Sequence, residues 1–299
     1  MTGLYALIKR NTKMFFKDKG LFFTSMITPL ILLVLYMTFL GNVYRDSFAS
    51  AFEGLPIDDS LLDAVVAGQL VSSLLAVCCV TVAFCSNMLM VQDKVSRARN
   101  DLTITPVKPS TLALSYYVST LFSTLIINLI AVGAGFAYIK SMGWYLSTAD
   151  VFIILLDVFL LVMFGTALSS VVNFFLSSQG QISAVGSIIS SVYGFICGAY
   201  MPISQFGEGL QKVLMFLPGT HATSLLRVHF MRGAFDEMKA DGFPDEVVEM
   251  MKDTVDCNIY FFGDKIADEV KLAVLCGSVI LLIAAYILLN TFARKRKNV

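Results

Sequence analysis

Six stretches of this chain run almost without charge for long enough to cross a lipid bilayer, and no other feature restricts its fold so severely. A helix rises about 1.5 Å per residue, so about 20 apolar residues cover the hydrocarbon core. Residues 21–40, 65–91, 112–139, 181–201 and 272–292 hold no charged side chain, and 151–176 holds only Asp157. Such lengths exclude the buried helices of a soluble domain, and barrel strands would alternate with a period of two. Composition points the same way. The chain is 57% hydrophobic and 15% charged, against about 25% charged in soluble domains, and its mean hydropathy is +0.75. The expected fold is an all-α integral membrane protein of six transmembrane helices, a single domain over 1–299.

Orientation follows from Lys and Arg in the short flanks, which favour the cytoplasmic side. Lys9, Arg10, Lys13, Lys17 and Lys19 precede the first span. Lys94, Arg97, Arg99 and Lys108 lie between spans two and three, and Arg294, Lys295, Arg296 and Lys297 follow the last. The short loops on the other side hold only Arg45, among acids that include Glu53, and Lys140. Both termini are therefore expected in the cytoplasm. The first run is too long for a signal-peptide core and no small-x-small site follows Leu40, so it reads as an anchor. Short polar ends and the lack of N-x-[ST] sites fit a bacterial plasma membrane.

The segments between the spans are unequal. Residues 1–19 read as an interfacial amphipathic helix: Leu4, Leu7, Ile8, Met14 and Phe15 share one arc, and Arg10 with the series Lys9, Lys13, Lys17 takes the other. Such a helix lies at the cytoplasmic face among lipid headgroups. The loop 92–110 begins as a mixed-charge helix, which Pro106 and Pro109 end, and Ser110 is expected to cap the next span. The segment 202–271 is long and rich in acids. Phe206, Leu210, Val213, Leu214 and Leu217 form one short helix, and a second follows Pro218-Gly219 as far as Gly233. Neither is long enough to span, which predicts a re-entrant hairpin or an interfacial cap. In 244–256, Val247, Val248, Met250, Met251 and Val255 oppose Asp245, Glu246, Glu249, Asp253 and Asp256.

Catalytic chemistry is sparse. There is no G-x-x-x-x-G-K-[ST] loop, no H-E-x-x-H and no C-x-x-C, and His221 and His229 are the only histidines. No metal site is expected, no nucleic-acid partner, and no enzyme activity in this chain. Of the six cysteines only Cys257 stands in a polar stretch, and no disulfide framework is expected. Asp157, about 10 Å below the outer end of its span, is an intramembrane acid and a functional candidate by default. With no basic partner in view, it is expected to bond Ser, Thr or water; the alternative use is ion coupling in a secondary transporter. Asn87, Asn128 and Asn173 read as interhelix hydrogen-bonding groups.

Taken in order, these features resemble the transmembrane subunit of an ABC-2 type transporter. Arg99-Asn100-Asp101-Leu102 followed by Thr105-Pro106-Val107 is similar to that family's coupling helix. Met201-Pro202-Ile203, then Leu217-Pro218 and Arg227, resemble its re-entrant segment. The resemblance covers nearly the whole chain. It implies an export permease with no cofactor of its own, ATP and Mg being bound by a separate ABC ATPase subunit. Asp93, Lys94, Arg97, Arg99, Asn100, Asp101 and Thr105 would couple to that subunit. A second copy or a paralogous permease would complete the pathway, with Phe84, Asn87, Tyr193 and Phe195 among its lining. The cargo would be a drug, peptide, lipid or glycan-lipid, and segment 203–233 would form the outer gate.

Overall fold

The computed structural model describes residues 2–51 and 58–295. Glu53, Arg296 and Lys297, used above for orientation, lie outside the described residues. Helix α1 (Thr2–Lys17) is followed by α2 (Lys19–Leu35), which Asp18 caps by accepting the Leu21 amide at 3.1 Å. A π turn at Tyr36–Leu40 carries α2 into α3 (Gly41–Ala51). Then come α4 (Asp59–Val95), α5 (Ala98–Ile104), α6 (Pro109–Met142), α7 (Thr148–Phe175) and α8 (Gln179–Ile196). The last third holds α9 (Glu208–Leu214), α10 (Pro218–Ala240), α11 (Asp245–Thr254), a hairpin of β1 (Tyr260–Phe261) and β2 (Asp264–Lys265), and α12 (Asp268–Lys295).

Among the described residues five helices are long and apolar enough to cross a membrane: Lys19–Asp46, Asp59–Val95, Pro109–Met142, Thr148–Phe175 and Asp268–Phe292. The fifth of the expected runs forms α8, which has 18 residues diluted by Ser, Gly and Gln. Its length is about 27 Å at ~1.5 Å per residue. It runs antiparallel to α4, since Gly186 lies against Met88 while Gly198 and Ser73 share one Arg227 side chain.

Helix α4 is the axis of the bundle. Its most apolar stretch is 94% buried within the chain, against 17% for α12. Helices α2, α6, α7, α8 and α10 surround it, which explains why α4 is apolar all round, whereas α12 buries one stripe and leaves Ile280 and Leu281 exposed. A polar seam joins α4 to α6 and α7. Asn87 donates to Ser169 and Ser170 at 3.0 and 2.9 Å and accepts from Thr120 at 3.3 Å. Cys79 donates to Asn128 at 3.5 Å. Asn87 and Asn128 thus bond across helices, whereas the Asn173 amide nitrogen, also buried, has no partner.

Several local expectations change. Ser110 does not cap α6; Pro109 takes the first helical position and Lys108 precedes it, since proline lacks only an amide that would be unpaired there anyway. Helix α10 continues through Gly233 to Ala240. Glycine at 233 serves close packing, because a Cβ there would lie 1.8 Å from the Tyr145 carbonyl oxygen. In α1 the buried side chains are Leu7, Asn11 and Phe15, while Met14 is exposed and Arg10 turns inward. In α11, Val248 and Met251 are buried but Met250 is exposed, and Asp256 leaves the acidic face for the interior.

Gly233→Ala is predicted to destabilise the fold by about 1–3 kcal/mol through overpacking. Gly207→Ala, where a Cβ meets nothing within 4 Å, is the matched control. Thermal unfolding in detergent should show a clear drop for the first variant only.

Candidate coupling and transport site

Where α4 leaves the bundle, its last turn is held from three sides. Arg10 of α1 grips the Asp93 carboxylate with both terminal nitrogens, at 2.7 and 3.1 Å, and the Tyr116 hydroxyl of α6 donates to it at 2.6 Å. A bidentate Arg–carboxylate pair fixes orientation as well as charge. Lys94 points the other way and donates to the carbonyls of Asn173, Phe174 and Leu176 at the end of α7, at 3.1, 2.6 and 3.0 Å. Arg97 then breaks the helix with φ +64°, a left-handed conformation unusual outside glycine.

After that break α5 turns across the end of the bundle. Arg99 donates to Asn290 of α12 at 3.1 Å. Leu102 and Val107 pack on the cluster of Leu112, Ala113 and Tyr116. The other face is open: Arg97, Asn100, Asp101, Thr103 and Thr105 are exposed, and Ile104 is 83% exposed. The seven positions expected to meet a partner therefore divide in two. Asp93, Lys94 and Arg99 bind the chain's own helices; Arg97, Asn100, Asp101 and Thr105 face outward. Ile104 is an addition that charge patterning could not supply. Its only signal in the sequence is an apolar residue set between Thr103 and Thr105 just before a proline.

Beside α4 runs a groove of about 690 Å³, walled by α2 and α8. Its polar lining includes Thr24 and Thr28 on α2, Gln92 on α4, and Ser183, Ser187 and Ser190 on α8, with Gly186 between them and Asp18 at the start of α2. The α8 positions recur at three- and four-residue steps and so share one face. The sequence-derived lining residues sit elsewhere. Phe84, Asn87 and Tyr193 are buried inside the chain, and Phe195 is half-exposed. Cys85, Met88 and Gln92 form the α4 wall of the groove, one residue step (about 100°) round from Phe84 and Asn87. On a helix apolar all round, no polar stripe marks which face a groove will use.

At the opposite end α10 inserts three basic side chains among acids. Arg227 donates to Asp256 at 2.9 Å, to the Gly198 carbonyl at 2.7 Å and to Ser73 at 3.2 Å. Asp256 also accepts the Ile203 amide at 2.7 Å. His229 Nδ1 bonds Asp157 of α7, so that intramembrane carboxylate has a partner from the segment expected to lie outside. Arg232 pairs with Asp150 at 3.2 Å. Farther out, Lys265 and Lys252 bond Glu249 at 2.7 and 2.9 Å and hold its carboxyl down at about 2. Cys257 is buried, and its burial pushes the thiol up to about 12.

Arg227→Met leaves the Asp256 carboxylate buried without its cation, so it is predicted to cost about 3–5 kcal/mol; adding Asp256→Asn should recover part of that in the same unfolding assay. The Glu249 contribution, with a pKa lowered on folding, is complete above the ordinary carboxylate range and fades as pH falls towards about 2. Protease resistance of α11 and the hairpin should therefore exceed that of Glu249→Gln at pH 7, and the two should converge in strong acid.

No curated protein matches the sequence. The profile of the ABC-2 family transporter proteins matches residues 58–293, from the start of α4 into the last turn of α12, which takes in α5, the α4 and α8 walls of the groove and the α10 pairs, but not α2. The chain therefore belongs to the ABC-2 family of transporter proteins.

Proposed function

We propose that this ABC-2 permease is the membrane-spanning half of an ATP-driven exporter in a plasma membrane, with α5 as the docking element for a separate ABC ATPase. The observation that carries this reading is the two-faced α5. One face is tied to α12 through Arg99 and packed on the α6 cluster. The other offers Arg97, Asn100, Asp101, Ile104 and Thr105 to solvent. An exposed isoleucine ringed by polar and charged groups is the usual make-up of a protein-binding patch.

In this reading α8 is the sixth spanning helix, and both termini are cytoplasmic. Exposed Lys9, Lys13, Lys17, Arg97 and Lys108 at the α5 end support that orientation. The open faces of α2 and α8 meet a second copy or a paralogue. The groove between them takes an amphipathic substrate, its polar part against the hydroxyls of Thr24, Thr28, Ser183 and Ser187. ATP and Mg stay on the ATPase. An ion-driven carrier built on Asp157 is the weaker reading, since that carboxylate is already bonded to His229.

Paired reversal Arg97→Glu with Asp101→Lys, or Ile104→Asp alone, should weaken capture of the ATPase at least about tenfold, roughly 1.4 kcal/mol. The spans should stay folded by circular dichroism. Unchanged capture and unchanged ATP hydrolysis in both variants would remove the docking assignment.

A further inference from the structure

Lys94 stands next to the exposed face of α5, yet its amine faces inward. An ammonium has three protons to donate, and all three find carbonyls: Asn173, Phe174 and Leu176. The same amine lies 5.4 Å from the centre of the Phe174 ring. These carbonyls close the last turn of α7, where a helix leaves its final acceptors unpaired and its dipole favours a cation. With those three bonds made, Lys94 has no proton left for a partner subunit.

The place of this cap matters. Beyond Phe175, only Leu176, Ser177 and Ser178 separate α7 from α8. Leu176 is extended, and Ser178 caps α8 by accepting the Gln181 amide at 3.3 Å. Helix α8 itself is held lightly: Ile182, Tyr193 and Gly194 are its only buried residues. Its far end runs into Gly198, whose φ of +76° marks a sharp turn of the chain. Two other fastenings at the α5 end, Arg10–Asp93–Tyr116 and Arg99–Asn290, reach α1, α6 and α12 but not α8.

We propose that Lys94 is a positioning residue that carries movement of α5 to α8, by gripping the end of α7 at the α7–α8 turn. The inference rests on the reading of α5 as the ATPase dock. Displacing α5 swings the end of α4, from which it is separated only by Ser96 and the left-handed Arg97. The Lys94 amine then drags the Asn173–Leu176 backbone, and with it the first turn of α8. The α8 wall of the groove thus shifts, while α2, α6 and α10 stay packed on α4.

The test uses the full chain in nanodiscs with the ABC ATPase that co-purifies with it. Spin labels go on Thr28→Cys of α2 and Ser187→Cys of α8, in a background with Cys85→Ser and Cys276→Ser. The label distance is measured without nucleotide and with Mg-ATP and vanadate. Wild-type Lys94 should give a nucleotide-driven change in distance. Lys94→Met should still capture the ATPase but lose the change, and Lys94→Arg should restore at least half of it. Insertion of two glycines after the exposed Ser177 slackens the turn without touching Lys94, and should abolish the change as well. That second variant decides the matter if Lys94→Met fails to fold. A full distance change in either variant, or in wild type no change despite bound ATPase, overturns the role of Lys94. So does loss of ATPase capture in a folded Lys94→Met, which would make Lys94 a docking residue. Failure of the wild-type chain to capture any ABC ATPase sinks the proposed function instead.

Discussion

The enclosure of α4 sets the terms for the rest of the molecule. A 37-residue helix surrounded on nearly every side has no water to satisfy its polar side chains, so each must find a partner on a neighbouring helix, turn back to its own backbone as Ser72 and Thr81 do, or go without. Asn87 answers with Ser169, Ser170 and Thr120, Ser73 with Arg227, and Asp93 with Arg10 and Tyr116. These bonds lie at different depths along one helix and together reach α1, α6, α7 and α10. The packing order around α4 is thereby fixed by polar groups, while the apolar majority supplies contact area without direction.

The same logic explains the two ends. At the α5 end the charges are divided between inward-facing Asp93, Lys94 and Arg99 and outward-facing Arg97 and Asp101. At the other end Arg227, His229 and Arg232 are matched to Asp256, Asp157 and Asp150. A buried ion pair contributes little net stability, but loss of one member is costly. Such pairs therefore act as registration marks, which hold α10 at one height against α7 and the α11 loop.

Much of this was legible in the sequence. Uncharged runs gave the five long spans, since length and lack of charge are one-dimensional properties. Prolines 106 and 109 gave the end of α5, but its start at Ala98 and the opening of α6 by Pro109 in place of Ser110 were not read from them. Three things were not legible. The inward turn of Arg10 and Lys94 depends on which acceptors other helices bring near them. The partner of Asp157 is 72 residues away in a segment whose own apolar pattern is weak. The face of α4 that lines the groove is undetermined because α4 is apolar on all faces, so Phe84 and Asn87 could not be told from Cys85, Met88 and Gln92. Gly233 looked like a helix end and proved to be a point of backbone contact, because sequence shows a missing Cβ but not what occupies its place.

The six cysteines are all free, and Cys257, the one outside the apolar runs, is sealed by burial with its thiol pushed up to about 12. A thiol kept protonated and out of reach neither forms mixed disulfides nor is readily oxidised. The segment around it is held instead by Arg227–Asp256 and by Lys271, which donates to the Cys257 carbonyl at 2.8 Å. Within the chain, this end of the molecule is consequently fastened by charge and hydrogen bonding, with no sulfur cross-link.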